Sequence, residues 1–298
     1  MNCRVMIAAS MLGALGFASR AYRVVSEARD ARDHPPPGEL VDIGGRRVHL
    51  CRAGEGTPSV IIVPCLGGSG SEWWDVQRRL AEYTSVYTYD RAGLGWSDPG
   101  PWPRTYPRMA DELRRLLTAA KIPPPHLLIG HSTGGIIVRQ YALHHPQGLA
   151  GLVLVDSSHE DQIRRIVSYK ETRHERINLW RRGLRCRFKP LGLIRAAQDL
   201  GFRERPTKST EIIGQSSRCQ RADAQELINQ ALTVPGRPPQ LGNLALMVIT
   251  AGPLRREGWY SAWREMQNEL PGLSTQSTHV VMEHVGHHIN VEAPDSLV

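Results

Sequence analysis

Short apolar runs alternate along the chain with segments whose apolar residues recur at helical spacing. Six runs predict strands, at residues 59–64, 85–89, 127–129, 149–155, 244–249 and 279–283. Two segments that flank Gly44-Gly45, residues 40–43 and 47–51, predict a β-hairpin. Helices are predicted at residues 73–83, 106–120, 136–143 and 259–269. Because buried strands that alternate with helices form parallel sheets covered on both faces, the pattern predicts an α/β fold.

Three segments depart from this alternation. Residues 5–17 are apolar or small and follow Arg4, which predicts a signal peptide or short signal anchor, with a buried N-terminal helix as the alternative. Residues 26–38 predict a linker, first charged and then stiffened by three prolines. Residues 157–240 are polar, basic and helical in character, and we interpret them as a lid. The predicted organisation is an anchor and linker at 1–38, a core at 39–156 and 241–298, and a lid at 157–240.

The sequence Gly130-His131-Ser132-Thr133-Gly134 lies between a predicted strand and a predicted helix. In this context the G-x-S-x-G pattern predicts a strained turn that exposes the serine hydroxyl at the end of the strand. The two glycines lack Cβ atoms, so that strand and helix can approach each other closely. We therefore predict Ser132 as a nucleophile.

A serine hydroxyl is a weak nucleophile at neutral pH and needs a base, which in turn needs a group that fixes its tautomer. We predict His287, which follows Gly286 after the last strand, as the base. His288 is the competitor, and His284 is a more distant alternative.

The acid that would orient this base has more than one candidate. Asp156 follows the strand after the nucleophile helix and is favoured, although capping a lid helix is its other interpretation. The loop after residues 244–249 contains no Asp. Glu257 is the second candidate, and Glu265 and Glu269 are the other carboxylates in that region.

Acyl transfer also needs hydrogen-bond donors for the oxyanion that forms on the substrate carbonyl. The backbone N–H of Thr133, directly after the nucleophile, is one predicted donor. The loop after the strand at 59–64 would supply the other, and Leu66, which precedes Gly67-Gly68, is the natural position.

These motifs resemble the α/β-hydrolase superfamily, in its serine esterase and lipase-like branch. The resemblance covers residues 39–298 and includes Tyr89-Asp90-Arg91-Ala92-Gly93-Leu94-Gly95-Trp96-Ser97 and Glu292-Ala293-Pro294. It implies an eight-stranded, mostly parallel sheet with helices on both faces and a helical lid after the sixth strand. It implies Ser132 as nucleophile, His287 as base, an acid after one of two strands, and no metal or organic cofactor.

The chain departs from the superfamily pattern at three places. Pro64-Cys65 replaces a common His-Gly in the oxyanion loop. The strand before Thr250 lacks the usual Asp, which moves the predicted acid to Asp156. Relatives continue into a final helix, of which residues from Pro294 onward would be only the start.

Charge and cysteine content indicate which of three classes of partner, namely metals, nucleic acids and membrane surfaces, this chain could bind. The net charge is +8, and residues 157–210 carry fourteen Lys and Arg against six Asp and Glu. This excess is interpreted as a solvated helical surface or, alternatively, as attraction to anionic lipid headgroups. The five cysteines match no zinc or iron–sulfur spacing, and no nucleic-acid recognition motif occurs. We predict a membrane-associated or exported chain, a location that fractionation of expressing cells would test.

The reaction favoured by these residues is hydrolysis of carboxylic esters of small molecules. Hydrolysis of C–C bonds and acyl transfer use the same three side chains and stay open. Epoxide hydrolases and haloalkane dehalogenases are disfavoured, because relatives with those activities have Asp where this chain has Ser132. A catalytically weak binding protein with the same fold is the alternative from another class.

Overall fold

The structure is a computed structural model that describes residues 3–167, 199, 208–214, 216–232, 238–252 and 259–298. Contacts divide the chain into two compact units. The larger unit is Pro36–Glu171 with Ala222–Val298, and the smaller is Met1–Pro35 with Thr172–Arg221.

The larger unit contains an eight-stranded sheet with the order β1-β2-β4-β3-β5-β6-β7-β8. The strands are β1 Glu39–Asp42, β2 Arg47–Ala53, β3 Ser59–Val63, β4 Val86–Tyr89, β5 His126–His131, β6 Leu149–Val155, β7 Ala245–Ala251 and β8 Ser277–Met282. β2 is antiparallel to both β1 and β4, and every other pairing is parallel. The predicted hairpin and the mostly parallel eight-stranded sheet are therefore confirmed.

Nine α-helices lie in the described part of the chain. They are α1 Cys3–Asp33, α2 Trp74–Leu80, α3 Tyr106–Ala119, α4 Thr133–His144, α5 Gln162–Val167, α6 Ser209–Gly214, α7 Ser217–Leu232, α8 Trp259–Glu269 and α9 Ile289–Glu292. Single 3₁₀ turns occur at Gly70–Trp73, Leu270–Leu273 and Pro294–Leu297. The predicted helices at 106–120 and 259–269 match α3 and α8 within one residue.

The order of the strands places the loops after β3 and β5 side by side. From β3 the chain moves to β4 on one side, and then returns to β5 on the other side of β3. Ligands of open α/β sheets bind in the crevice where the strand order reverses, at the carboxyl ends of the strands. The predicted nucleophile turn follows β5, and the predicted oxyanion loop follows β3.

Apolar side chains fill both faces of the sheet. On one face, Leu113 and Leu116 of α3 and Ile137 of α4 pack against Leu128 and other strand residues. On the opposite face a second cluster joins residues of α2 to the strands, including Val76, Ile62 and Val155. The two clusters explain why the central strands are continuous apolar runs.

One helix, α1, occupies most of the region that the sequence predicts as an anchor and a linker. We predict a linker from residue 26, but α1 continues to Asp33, and Ser26 and Asp30 are buried. The segment is rich in helix-forming residues, and Arg23 and Glu27 form an ion pair at the i, i+4 spacing that supports helices. The extended linker is therefore confined to the residues after α1.

The described parts of the predicted lid, residues 157–240, are mainly helical and contain α5, α6 and α7. Most of its basic residues lie outside the described residues, so the lid as a separate unit stays a prediction. Among the described helices, none combines the length and the apolar character needed to cross a bilayer. The membrane-associated or exported location stays a prediction.

A buried His–Asp pair connects β2 to the loop after β4. His49 Nδ1 lies 2.8 Å from Asp90 Oδ2, and the same carboxylate accepts the N–H groups of Gly70 and Trp96. Burial disfavours the charged form of His49, but hydrogen bonds to Asp90 and Cys51 and their charges outweigh it and raise its pKa to about 9. The imidazolium is therefore the form that the folded protein favours.

We expect this pair to make stability depend on pH at the alkaline end. Because the folded pKa of His49 lies above its ordinary value of 6.5, its contribution is fully present below pH 6.5 and is lost as the pH rises through about 9. Urea unfolding of the wild type and of His49→Gln, from pH 6 to 10, measures this effect. The free energy of unfolding of His49→Gln should decline less with rising pH than that of the wild type. An equal decline in both proteins would mean that other titrating groups cause it.

Candidate active site

The serine of the G-x-S-x-G motif has an unusual backbone conformation. Ser132 lies between β5 and α4 with φ 51° and ψ −120°, a combination that few non-glycine residues adopt. A Cβ on Gly134 would lie 2.1 Å from the carbonyl oxygen of Val63, and one on Gly130 would lie 2.7 Å from that of Gly134. The two glycines therefore permit the close approach of strand and helix that holds this turn.

The predicted acid and base are in contact. Asp156 follows β6, its side chain is 3% exposed, and its Oδ2 lies 2.6 Å from Nδ1 of His287. The other oxygen, Oδ1, accepts the N–H of Ala251 and the indole N–H of Trp263, each at 3.1 Å. Because Oδ1 accepts both donors and Oδ2 faces the imidazole, the carboxylate of Asp156 is held in one orientation.

Backbone hydrogen bonds connect the serine turn to the residues around Asp156. The N–H of Ser132 donates to the carbonyl of Val155 at 3.1 Å, and the N–H of Ser158 donates to the carbonyl of Ser132 at 2.8 Å. The serine turn and the acid therefore occupy adjacent positions at the same edge of the sheet. With Nδ1 of His287 facing Asp156, Nε2 is the ring nitrogen that does not face the acid.

His131 connects the serine turn to the loop that carries the base. Its Nε2 lies 2.8 Å from the carbonyl oxygen of His287, and the two ring centroids are 4.9 Å apart. Burial, together with the charge of His287, lowers the pKa of His131 to about 3, so its ring is neutral near neutral pH. Because a carbonyl only accepts, Nε2 of His131 carries the proton and donates it.

The other candidate acids lie elsewhere or outside the described residues. Glu269 forms an ion pair with Arg165 at 2.6 Å, and Glu265 is exposed on α8. Glu257 lies outside the described residues. Among the described carboxylates, Asp156 is the one that contacts the ring of His287.

Alanine variants distinguish His287 from its neighbour. We expect His287→Ala to lower kcat for an ester substrate by several orders of magnitude, because the base is lost together with its contact to Asp156. His288 precedes α9 and lines a cavity beside the oxyanion loop, so His288→Ala should alter KM more than kcat. Steady-state kinetics of both variants measure the difference. If only His288→Ala loses kcat, the base is His288 and not His287.

The two predicted oxyanion donors follow β3 and β5. Thr133 is the first residue of α4, and Leu66 lies in a tight turn in which the N–H of Gly68 donates to the carbonyl of Cys65 at 3.0 Å. Gly67, with φ +65°, has the left-handed conformation that this turn requires. Within the described residues, the N–H groups of Leu66 and Thr133 have no hydrogen-bond partner.

A cavity of about 560 Å³ lies beside the oxyanion loop. Leu66, His288 and Val291 line it, together with the carboxylates of Glu72, Asp223 and Glu292. Its walls combine apolar and acidic side chains. In the described ranges, no three His, Cys, Asp or Glu side chains gather as a metal site.

Two contacts of this site were not predicted from the sequence. The indole of Trp263 supports Asp156, and Glu226 of α7 binds Arg91 beside the oxyanion loop. Arg91 lies in a motif that the resemblance marks, but Glu226 belongs to a segment without any recognisable motif. Only the folded chain brings this glutamate to the loop.

Comparisons with known proteins agree with this fold. Residues 58–179 match the family model of the alpha/beta hydrolase fold. The "Probable transporter efuK" of Hormonema carpetanum is 38% identical over 130 residues, 41% of this chain and 18% of that protein. An "AB hydrolase superfamily protein" of Gibberella zeae is 41% identical over 106 residues, 34% of this chain and 33% of that protein. The matched region is thus a third or less of each of these relatives.

Similarity to solved structures extends further along the chain. The structure of a thermophilic esterase from Thermogutta terrifontis has a TM-score of 0.60 and 18% identity, and the match covers 87% of this chain and 93% of that one. At this identity the likeness shows the fold alone. By its eight-stranded sheet and by the match of residues 58–179, the chain has the α/β-hydrolase fold.

Proposed function

We propose that this chain hydrolyses carboxylic esters of small molecules through an acyl-enzyme on Ser132. The observation that carries the proposal is the 2.6 Å contact between His287 and Asp156 at the edge of the sheet where Ser132 lies in a strained turn. A serine, a histidine and an oriented carboxylate are the groups that acyl transfer requires.

In the proposed first half-reaction, the Oγ of Ser132 attacks the ester carbonyl carbon while Nε2 of His287 takes the hydroxyl proton. Asp156 stabilises the imidazolium that forms. The N–H groups of Leu66 and Thr133 would stabilise the negative charge that develops on the carbonyl oxygen. Collapse of the tetrahedral intermediate breaks the ester C–O bond, and His287 returns the proton to the departing alcohol.

In the second half-reaction, water attacks the acyl-enzyme and gives its proton to His287. The carboxylic acid leaves, and Ser132 regains its proton. The reaction thus consumes one water for each ester and leaves the enzyme unchanged. Because the nucleophile is a hydroxyl, the proposal differs from the carboxylate chemistry of epoxide hydrolases and haloalkane dehalogenases.

A fluorophosphonate probe and an ester series test the proposal together. We expect the probe to modify Ser132, which mass spectrometry of the labelled peptide locates, and at least one p-nitrophenyl ester of graded acyl length to be hydrolysed. Labelling without ester hydrolysis would favour C–C hydrolysis or acyl transfer at the same site. If the folded protein shows neither reaction, it is a binding protein that retains the hydrolase fold.

A further inference from the structure

A buried ion pair lies directly behind the oxyanion loop. Arg91 follows β4 and its side chain is 1% exposed; Glu226 lies on α7 and its side chain is fully buried. Arg91 Nε and Nη2 donate to the two carboxylate oxygens of Glu226 at 2.8 and 2.7 Å. Such a bidentate pair fixes both side chains, because two parallel hydrogen bonds specify their orientation.

The same two side chains bind three backbone groups of the oxyanion loop. Arg91 donates to the carbonyls of Pro64 and Cys65 at 2.8 and 2.6 Å. Glu226 Oε2 accepts the N–H of Gly67 at 3.1 Å. The polar groups on both sides of Leu66 are therefore directed towards the ion pair.

Because the peptide bond is planar, the contacts that hold the carbonyl of Cys65 also fix the direction of the N–H of Leu66. The Cys65–Leu66 peptide is trans, so its C=O and N–H point in opposite directions in one plane. Because Arg91 holds the carbonyl of Cys65, the N–H of Leu66 is directed away from the ion pair. This N–H is the predicted oxyanion donor, and within the described residues it has no hydrogen-bond partner.

Close packing places α7 against this loop and against the loop that carries Arg91. A Cβ on Gly67 would lie 2.4 Å from Asp223 Oδ1, and one on Gly93 would lie 2.6 Å from the Cβ of Ala222. Burial disfavours the ionised form of Glu226, but the charge and hydrogen bonds of Arg91 lower its pKa below the ordinary value. Both partners are therefore charged at neutral pH, and each compensates the other.

We propose that Arg91 and Glu226 are positioning residues for ester hydrolysis, which hold the N–H of Leu66 in the direction that the oxyanion requires. This inference rests on the proposed function and adds a specific task for α7. Part of the segment predicted as a lid thus acts as a fixed support of the oxyanion loop. Loss of the pair should weaken stabilisation of the transition state more than binding of the ester.

Glu226→Gln tests the proposal, with Glu112→Gln as the matched control. Arg104 and Glu112 form a second buried bidentate pair, with both distances 2.7 Å, and Arg46 also donates to Glu112. Among the residues that the structure describes, no hydrogen bond joins the side chain of Arg104 or Glu112 to the oxyanion loop. We expect Glu226→Gln to lower kcat for a p-nitrophenyl ester about 100-fold, the scale of losing one oxyanion donor, with KM nearly unchanged. Glu112→Gln should also lose stability but keep its kcat.

Two further readouts separate positioning from a general loss of structure. The low-field proton resonance of His287 Nδ1 and the pH midpoint of kcat/KM report the His287–Asp156 pair, and neither should change in Glu226→Gln. Glu226→Asp keeps the compensating charge and therefore folds, but its carboxylate is one methylene short of the loop. It should show an intermediate loss of kcat, also at nearly constant KM.

The outcomes distinguish this inference from the proposed function. If the wild type is active and both Glu226 variants retain the kcat of Glu112→Gln, Arg91 and Glu226 only stabilise the fold and the inference is wrong. A displaced His287 resonance in Glu226→Gln would also contradict it, because the damage would then extend beyond the oxyanion loop. If the wild type neither hydrolyses esters nor labels at Ser132, the proposed function fails, and this inference fails with it.

Discussion

Ser132→Ala is expected to lower kcat for ester hydrolysis by about 10⁶-fold, by analogy with removal of the nucleophile of a serine protease. The substitution removes the one oxygen that forms the acyl bond, and the remaining groups cannot supply a covalent route. Alanine is smaller than serine, so the packing around β5 and α4 is preserved. Steady-state hydrolysis of the best p-nitrophenyl ester, together with fluorophosphonate labelling, measures the loss.

Ser85→Ala is the matched control for this substitution. Ser85 is also buried, but it precedes β4 at the opposite edge of the sheet from the serine turn. Both variants lose the Oγ atom of a buried serine, and circular dichroism should show that both are folded. Only Ser132→Ala should be inactive, because only Ser132 is the proposed nucleophile. Hydrolysis by Ser132→Ala at a rate near that of the wild type would exclude the acyl-enzyme mechanism.

Asp156→Asn is expected to lower kcat by about 10⁴-fold, as the corresponding substitution does in a serine-protease triad. Oδ1 of Asp156 accepts two N–H groups, from Ala251 and Trp263. An asparagine must therefore place its carbonyl oxygen there and direct its NH₂ group towards Nδ1 of His287. An NH₂ group donates to Nδ1 and selects the wrong tautomer, in which Nε2 carries a proton and cannot accept one from Ser132.

Glu257→Gln provides the comparison for the acid. If Asp156 orients His287, Glu257→Gln should retain nearly full activity, while Asp156→Asn keeps the fold and loses the rate. The reverse pattern would assign the acid to the loop after β7. If neither variant loses activity, the site works as a serine–histidine dyad. Kinetics of both variants at one pH, with unfolding curves as the measure of integrity, decide between these results.

Local sequence was sufficient for the parts of the fold that depend on neighbouring residues. Apolar runs of three to seven residues predicted the central strands, because a strand buried on both faces needs apolar side chains at nearly every position. The spacing in 106–120 predicted α3, whose buried face includes Met109, Leu113 and Leu116. The turn at Ser132 was predicted because its glycines, strand and helix are contiguous. Residues 26–33 belong to α1 although the sequence predicts a linker there, because charged residues are typical of both linkers and helix surfaces.

The candidate site depends on contacts between distant parts of the chain. His287 and Asp156 are separated by 131 positions, and the sequence left Glu257 open as an alternative acid because spacing alone does not tell which loop reaches the histidine. The pairing of β6 and β7 holds Asp156 beside His287, since Asp156 donates its N–H to Ile249 and its Oδ1 accepts the N–H of Ala251. The sequence therefore determined which residue types and local turns are present, while pairing of the strands placed the carboxylate of Asp156 against the ring of His287.

The support of the oxyanion loop was decided by tertiary structure alone. Arg91 and Glu226 lie 135 positions apart, and neither periodicity nor a motif connects them. A buried arginine must be compensated by a carboxylate. The sequence shows neither that Arg91 is buried nor which of its many carboxylates would pair with it, because burial is a property of the packed chain. By itself, the sequence determined the strands, the helices and the serine turn, because hydrophobic periodicity and glycine conformation act over a few residues. Tertiary packing decided the charge partners, because electrostatic compensation acts between side chains that only folding makes neighbours.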